Sequence, residues 1–349
     1  MRGRWVWQCL VAGALGAVFV MGCGRGESKQ ELNLFTWSDY ISEEAVRRFE
    51  EEYNAHVVID TFEDNDELVA KLQAGVTGYD VIVPSDYAVQ QLINLGLVLP
   101  LNKENIPNFQ NLDPRFLDQY FDPGNVYSVP YLWGTAGIGY NSEVIPEPPD
   151  SWWILWDEKY KGEINMLDEM RETMAVALKM LGYSVNTTDP QQIAEARDLL
   201  IRQKPLVRSY TTETDDLMVS GQILLTHAWN GDVLRVAEEY PQWKYVVPKE
   251  GSTFFLDNLC IPKGTDNKEL AEKFINFILE PEIIASVSAF THYGNAVPAS
   301  MDYLPEELKN DPAVFPPDEV IERLEMLRDV GDAEVLYGEA WTAIKSAGG

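Results

Sequence analysis

Short apolar runs alternate with amphipathic runs along this chain, and that alternation constrains its fold more than any other feature. Leu32–Trp37, His56–Phe62 and Asp80–Pro84 read as strands, separated by helical stretches at Ser42–Tyr53, Asp66–Ala74 and Tyr87–Leu95. The pattern resumes with strands at Glu163–Leu167, Leu206–Tyr210 and Ile223–Trp229. Helices at Arg171–Leu181, Gln191–Gln203, Thr214–Ser220 and Asp232–Glu239 accompany them. Strands that alternate with helices predict a parallel sheet with helices on its faces. Two such runs in 349 residues predict two α/β lobes. Between them lies Asn102–Trp156, thick with Pro, Asn and Asp. Within it, Tyr131–Tyr140 reads as an extended, Gly-rich strand that crosses between lobes, and Lys249–Phe255 as a second crossing. Two crossings imply discontinuous lobes around a hinge; sequential domains with one linker remain the alternative.

Residues 1–22 read as an export signal. Arg2 and Arg4 form a basic start, and Leu10–Met21 carries no charge but is too short for a comfortable membrane span. The run ends in Val20-Met21-Gly22-Cys23, which resembles a bacterial lipobox and predicts a lipid on Cys23. Residues 24–30 are Gly, polar or charged and read as a tether. Cys9 leaves with the signal, so Cys260 is the remaining thiol, in the apolar strand pattern Asn258-Leu259-Cys260-Ile261, where a small buried hydrophobe is expected.

Charge excludes one class of partner. With 56 Asp plus Glu against 27 Lys plus Arg, the net charge is −29, the opposite of a phosphate-binding surface, so no nucleic acid is expected. Three His and three Cys leave little for a His/Cys metal site, and no cofactor is expected. No Gly-x-Ser-x-Gly elbow or phosphate loop occurs, and Gly134-xx-Gly137-x-Gly139 has the wrong spacing for a dinucleotide fingerprint, so no enzyme is predicted.

In open α/β sheets, ligands sit beyond the carboxyl ends of strands. One such end here is Trp37-Ser38-Asp39-Tyr40 and another is Pro84-Ser85-Asp86-Tyr87. A third is Trp229-Asn230-Gly231-Asp232, and a further strand passes through Phe254-Phe255-Leu256-Asp257. Each offers aromatic rings beside a carboxylate. Ring faces attract cations and carboxylates bind ammonium groups through charge-assisted hydrogen bonds. The combination suits an elongated organic cation with amines at its ends. The plainer reading is a core rim with Asp as a helix N-cap. Glu169 and Glu172 share a helix face, for which a solvated position is expected.

At these residues the chain resembles the periplasmic spermidine/putrescine-binding proteins of polyamine ABC importers. The resemblance covers nearly all of residues 31–349. It shows in FTWSDY (35–40), YDVIVPSDY (79–87), NLDPRF (111–116), YSVPYLWGTAGIGYN (127–141), WDEKYKGEI (156–164), AWNGDV (228–233) and VPKEGSTFFLDNLCIP (247–262). It implies an α/β, two-lobed periplasmic binding protein fold of type II, each lobe a mostly parallel sheet flanked by helices, with crossing hinge strands. The implied boundaries are 31–135 plus 256–305 for the N-lobe and 136–255 plus 306–349 for the C-lobe, after a signal at 1–22 and a lipidated tether at 23–30. It implies a monomer in the periplasm, held to a membrane by Cys23, that closes on a polyamine and hands it to a permease in the inner membrane without chemistry.

Carried over residue by residue, the family's aromatic box falls on Trp37, Trp229, Phe255 and Tyr293, with Tyr40 and Tyr87 alongside. Its hydroxyl and backbone contacts fall on Ser38 and Ser85, and its ammonium-binding acids on Glu172 and Asp257, with Asp39 and Asp232 as further carboxylates. Glu169 aligns with an acid of spermidine-type members. Those members tend to have Trp where this chain has Phe255, a small hydroxyl residue at Asp232 and Gln at Leu327. Asp39, Asp232 and Phe255 resemble putrescine-type members, so putrescine is favoured over spermidine. Another cationic solute, such as an amino acid or betaine, and a surface or sensor lipoprotein are the alternatives.

Overall fold

A computed structural model of the chain describes residues 29–348. The export-signal reading of residues 1–22 and the lipid-bearing Cys23 lie outside the described residues. In chain order the strands are β1 (Gln30–Thr36), β2 (Ala55–Thr61), β3 (Val81–Ile82), β4 (Ser128–Asn141), β5 (Ile164–Met166), β6 (Val207–Tyr210), β7 (Leu225–Trp229), β8 (Trp243–Val246), β9 (Ser252–Cys260), β10 (Gly294–Asn295) and β11 (Leu324–Glu325). The helices are α1 (Glu43–Tyr53), α2 (Asn65–Gln73), α3 (Asp86–Asn94), α4 (Met170–Met180), α5 (Pro190–Gln203), α6 (Asp215–Val219), α7 (Asn230–Glu239), α8 (Lys268–Ile278), α9 (Pro281–Thr291), α10 (Glu306–Lys309), α11 (Asp318–Ile321) and α12 (Glu334–Ser346). Gln30, the last residue of the expected tether, pairs with Ala55 in the sheet.

Local chemistry sets the helix ends. The Ser42 hydroxyl accepts the Ala45 N–H at 3.1 Å to open α1, and Asn54, in the left-handed region at φ +48°, closes it. Asp64 caps α2 by accepting from Glu67, and Pro190 occupies the first position of α5 after the Asp189 cap.

Two sheets are joined through one shared strand, β4. The first runs β2-β1-β3-β9-β4 and the second β4-β7-β5-β6. β1 is parallel to β2 and β3, and β5 is parallel to β6 and β7. β9 is antiparallel to β3 and β4, and β4 to β7 and β8. Each sheet is therefore mixed rather than mostly parallel. The chain leaves the first lobe along β4 and returns along β9, and segments that pass out and back must oppose one another. β4 pairs with β9 over Ser128–Thr135, then with β7 and β8 from Ala136 onward. The second crossing is Ser252–Cys260, displaced from the expected Lys249–Phe255. Its last five residues are all buried, which removes the alternation that marks a half-exposed strand.

Each sheet has its own core. Phe49 of α1 packs edge-on against Phe274 of α8 at 5.0 Å between ring centres, over Leu32, Leu34 and Val81. Leu178 of α4, Leu200 of α5 and Tyr337 of α12 cover the second sheet. Cys260 is free and buried, as its pattern predicts. Among the described residues no single helix is long and apolar enough to cross a membrane.

Candidate functional site

The segments that follow β1, β2, β3, β5, β6 and β7 come together around one cleft of about 190 Å³ between the two sheets. That volume is below the roughly 300–1,000 Å³ of clefts for drug-sized ligands, and suits a smaller guest. All twelve positions named from the sequence line it. Trp37, Ser38, Asp39 and Tyr40 form the turn after β1, Ser85 and Tyr87 follow β3, and Trp229 ends β7. Glu172 and Asp232 sit in the first turns of α4 and α7, Phe255 and Asp257 lie on β9, and Tyr293 precedes β10.

Rings make the walls. Trp37 meets Trp229 edge-on with ring centres 6.3 Å apart, and Phe255 meets Tyr293 edge-on at 5.4 Å. Tyr40 lies 5.6 Å from Tyr293. The Trp37 indole N–H donates to the Val83 carbonyl at 3.0 Å, which holds the ring in place. Two glycines make room for this packing. A Cβ at Gly134 on β4 would stand 2.5 Å from Asn230 Oδ1 and 2.7 Å from the Phe255 ring, and one at Gly231 would strike the Tyr293 ring.

Acids make the floor and ends. Asp257 is 3% exposed. The Tyr40 hydroxyl donates to its Oδ2, while its buried Oδ1 has no hydrogen-bond partner among the described residues. Burial pushes the Asp257 carboxyl up to about 7, with the Tyr40 hydroxyl opposing. Glu172, 5% exposed, accepts from the Thr253 hydroxyl at 2.5 Å, and burial likewise raises it to about 7. Burial and the neighbouring Glu172 raise Glu169 to about 8. Half-buried Asp232 accepts from the Tyr293 hydroxyl at 3.1 Å; burial lifts it to about 7, with the Arg235 guanidinium opposing. Asp86 is buried and raised well above the usual carboxylate range, although the Tyr87 and Leu256 N–H groups donate to it.

Four carboxyls that change charge near neutral pH in one cleft are poised for a cation. Each ring offers one about 0.5–2 kcal/mol. A buried carboxylate without a partner costs several kcal/mol. The acids therefore decide that the guest is cationic, and the rings hold its hydrocarbon. No His lines the cleft, and among the described residues no group of His, Cys, Asp or Glu has the arrangement of a metal site.

Several residues depart from the simple sequence reading. Glu169 and Glu172 are not on a solvated face. Glu169 caps α4 by accepting the Glu172 N–H at 2.5 Å, which turns both carboxyls inward. Neither Asp after Ser is a helix cap through its side chain: Asp39 stands in the left-handed region at φ +49°, and α3 begins without a side-chain cap. Ser38 and Asp39 are exposed at the mouth. Sequence reasoning missed Phe62, Glu63 and Asn65 after β2, Thr212, Glu213 and Asp215 after β6, and Arg235 on α7. The strand-end rule, applied to β2 and β6 as it was to β1 and β3, finds the first six.

The family model described as bacterial extracellular solute-binding protein matches residues 44–316. The chain is 35% identical over 346 residues to the spermidine/putrescine-binding periplasmic protein of Salmonella typhimurium, covering 98% of this chain and 99% of that one. It is 34% identical over 369 residues to the putrescine-binding periplasmic protein of Escherichia coli, covering 99% of each. Among solved structures, the spermidine/putrescine ABC transporter substrate-binding protein of Streptococcus pneumoniae superposes with a TM-score of 0.79 at 34% identity, over 91% of this chain and 99% of that one. A lipoprotein of Treponema pallidum superposes with a TM-score of 0.82 at 30% identity, over 90% and 99%.

Proposed function

The chain belongs to the bacterial extracellular solute-binding proteins, among their spermidine/putrescine-binding members, and from that premise we propose that its cleft captures a polyamine and delivers it to an ABC permease. The observation that carries the reading is the buried, unpartnered Oδ1 of Asp257, set among aromatic rings and beside Glu172. An ammonium placed there supplies the missing hydrogen bonds and returns Asp257 and Glu172 to the ionised form. Trp37, Trp229 and Phe255 flank the methylenes. Asp232, toward the other end of the cleft, receives the second ammonium of a short diamine. Phe255 where a larger indole would fit, and Leu327 where an amide would fit, give no polar anchor for a middle amine. Putrescine is favoured over spermidine on those grounds.

Capture proceeds by closure of two lobes, 31–135 plus 256–305 against 136–255 plus 306–349, about β4 and β9. The change of β4 partners between Thr135 and Ala136 supports that division. The protein works as a monomer outside the cytoplasm, with Cys23 as its lipid-bearing residue. Native mass spectrometry of purified protein tests the reading. A mass increment equal to one putrescine, displaced by added spermidine, is expected. Displacement by arginine or choline but not by polyamines would assign the cleft to another cationic solute, and retention of no amine at millimolar putrescine would overturn the proposal.

A further inference from the structure

Arg235 is the single cation among the described residues that line the cleft, against nine carboxyl groups. Its side chain is only 23% exposed. Nη2 lies 2.9 Å from Asp215 Oδ2 and 3.7 Å from Asp39 Oδ2. Asp39 comes from the turn after β1, in the first sheet, whereas Asp215 opens α6 and Arg235 stands on α7, beside the second. Asp232 precedes Arg235 by one helical turn and feels its charge. The guanidinium therefore reaches from the side of the second sheet to the turn after β1, among three acids. No cation in the cleft holds the other acidic group, Asp257 with Glu172 and Glu169.

We propose that Arg235 fixes how many ammonium groups the cleft accepts, as a resident cation in the seat that a third ammonium would need. The inference rests on the polyamine reading. A diamine puts one ammonium at Asp257 and Glu172 and the other at Asp232, where three carboxylates outweigh one guanidinium. A longer triamine drives its additional charge toward Arg235, and like charges at contact distance in a partly buried site repel strongly. Arg235 is thus a selectivity residue that needs no contact with the preferred guest. Asp215→Asn, which keeps the bulk of the guanidinium and changes only the charge around it, separates repulsion from obstruction.

Calorimetric titration of putrescine and spermidine into wild type, Arg235→Gln and Asp215→Asn, at pH 8 and fixed ionic strength, tests this. Arg235→Gln is expected to improve spermidine affinity relative to putrescine by about tenfold or more. Asp215→Asn keeps the guanidinium but removes a counter-charge, so it is expected to move the ratio the other way, by about threefold. A ratio in Arg235→Gln within about threefold of wild type, or an Asp215→Asn protein that shifts toward spermidine, overturns the inference and leaves the polyamine reading intact. Wild-type protein that binds neither amine overturns the polyamine reading and this inference with it.

Discussion

Asp257 shows how one side chain can bear on stability and on binding with opposite signs. Its carboxyl is raised by burial, to about 7, so the folded protein holds that proton longer than the unfolded chain does. The associated stability is fully present below the unfolded pKa near 4 and is lost as pH rises through about 7. Glu172, Glu169 and Asp232 are raised by the same cause and act in the same direction. Asp257→Asn is therefore expected to leave the melting temperature of the empty protein at pH 8 unchanged or higher. The same substitution is expected to weaken putrescine binding more than about tenfold, because an ammonium loses its buried charged partner. Thermal melts and calorimetry on one preparation check both signs; unchanged affinity would remove Asp257 from the site.

At the scale of elements, the cleft exists because six parallel-strand ends and two crossing strands converge on one place. β4 passes under the aromatic box, and its Gly134 leaves no room for a methyl group between Asn230 and Phe255. Gly134→Ala is expected to destabilise the protein by about 1–3 kcal/mol through overpacking and to weaken ligand binding as Phe255 is displaced, read from denaturant midpoints and titration. Trp37 and Trp229 touch edge-on and both line the cleft, so their fluorescence is expected to change when putrescine enters. A flat emission spectrum at millimolar putrescine would place neither indole at the guest.

Much of this arrangement was legible in the residues. Strand–helix alternation locates β1 to β3 and β5 to β7, and the strand-end rule groups Trp37, Ser85, Trp229 and Asp232. Other features were not legible, for identifiable reasons. Spacing puts Glu169 and Glu172 on one helix face without saying which face is buried; that depends on Glu169 folding back to cap α4. Arg235 follows Asp232 by three residues and reads as an ordinary surface pair, since its partners Asp39 and Asp215 are remote in sequence. α8, α9 and α12 lie beyond the alternating runs, and the crossing starts at Ser252 and not at Lys249, carrying on through the Asn258–Ile261 strand pattern that the sequence shows separately.

For the whole molecule, a net charge of −29 draws cations toward the protein from a distance, but screening confines that effect to about a Debye length, near 10 Å at ordinary salt. Selectivity must arise inside the cleft, among its aromatic rings and buried acids. Raised carboxyls in the empty site and ionised ones in the complex mean that binding a diammonium guest releases protons. Affinity should then rise with pH through about 7 to 8 and level off above, where the acids are already ionised. Titration of putrescine at pH 6 and pH 8, in buffers of different ionisation enthalpy, measures affinity and proton release together. Tighter binding at pH 8, with protons released at pH 6, is the predicted result. Equal affinity at both pH values with no proton exchange, or no binding at either, would contradict a cleft whose buried acids await a cation.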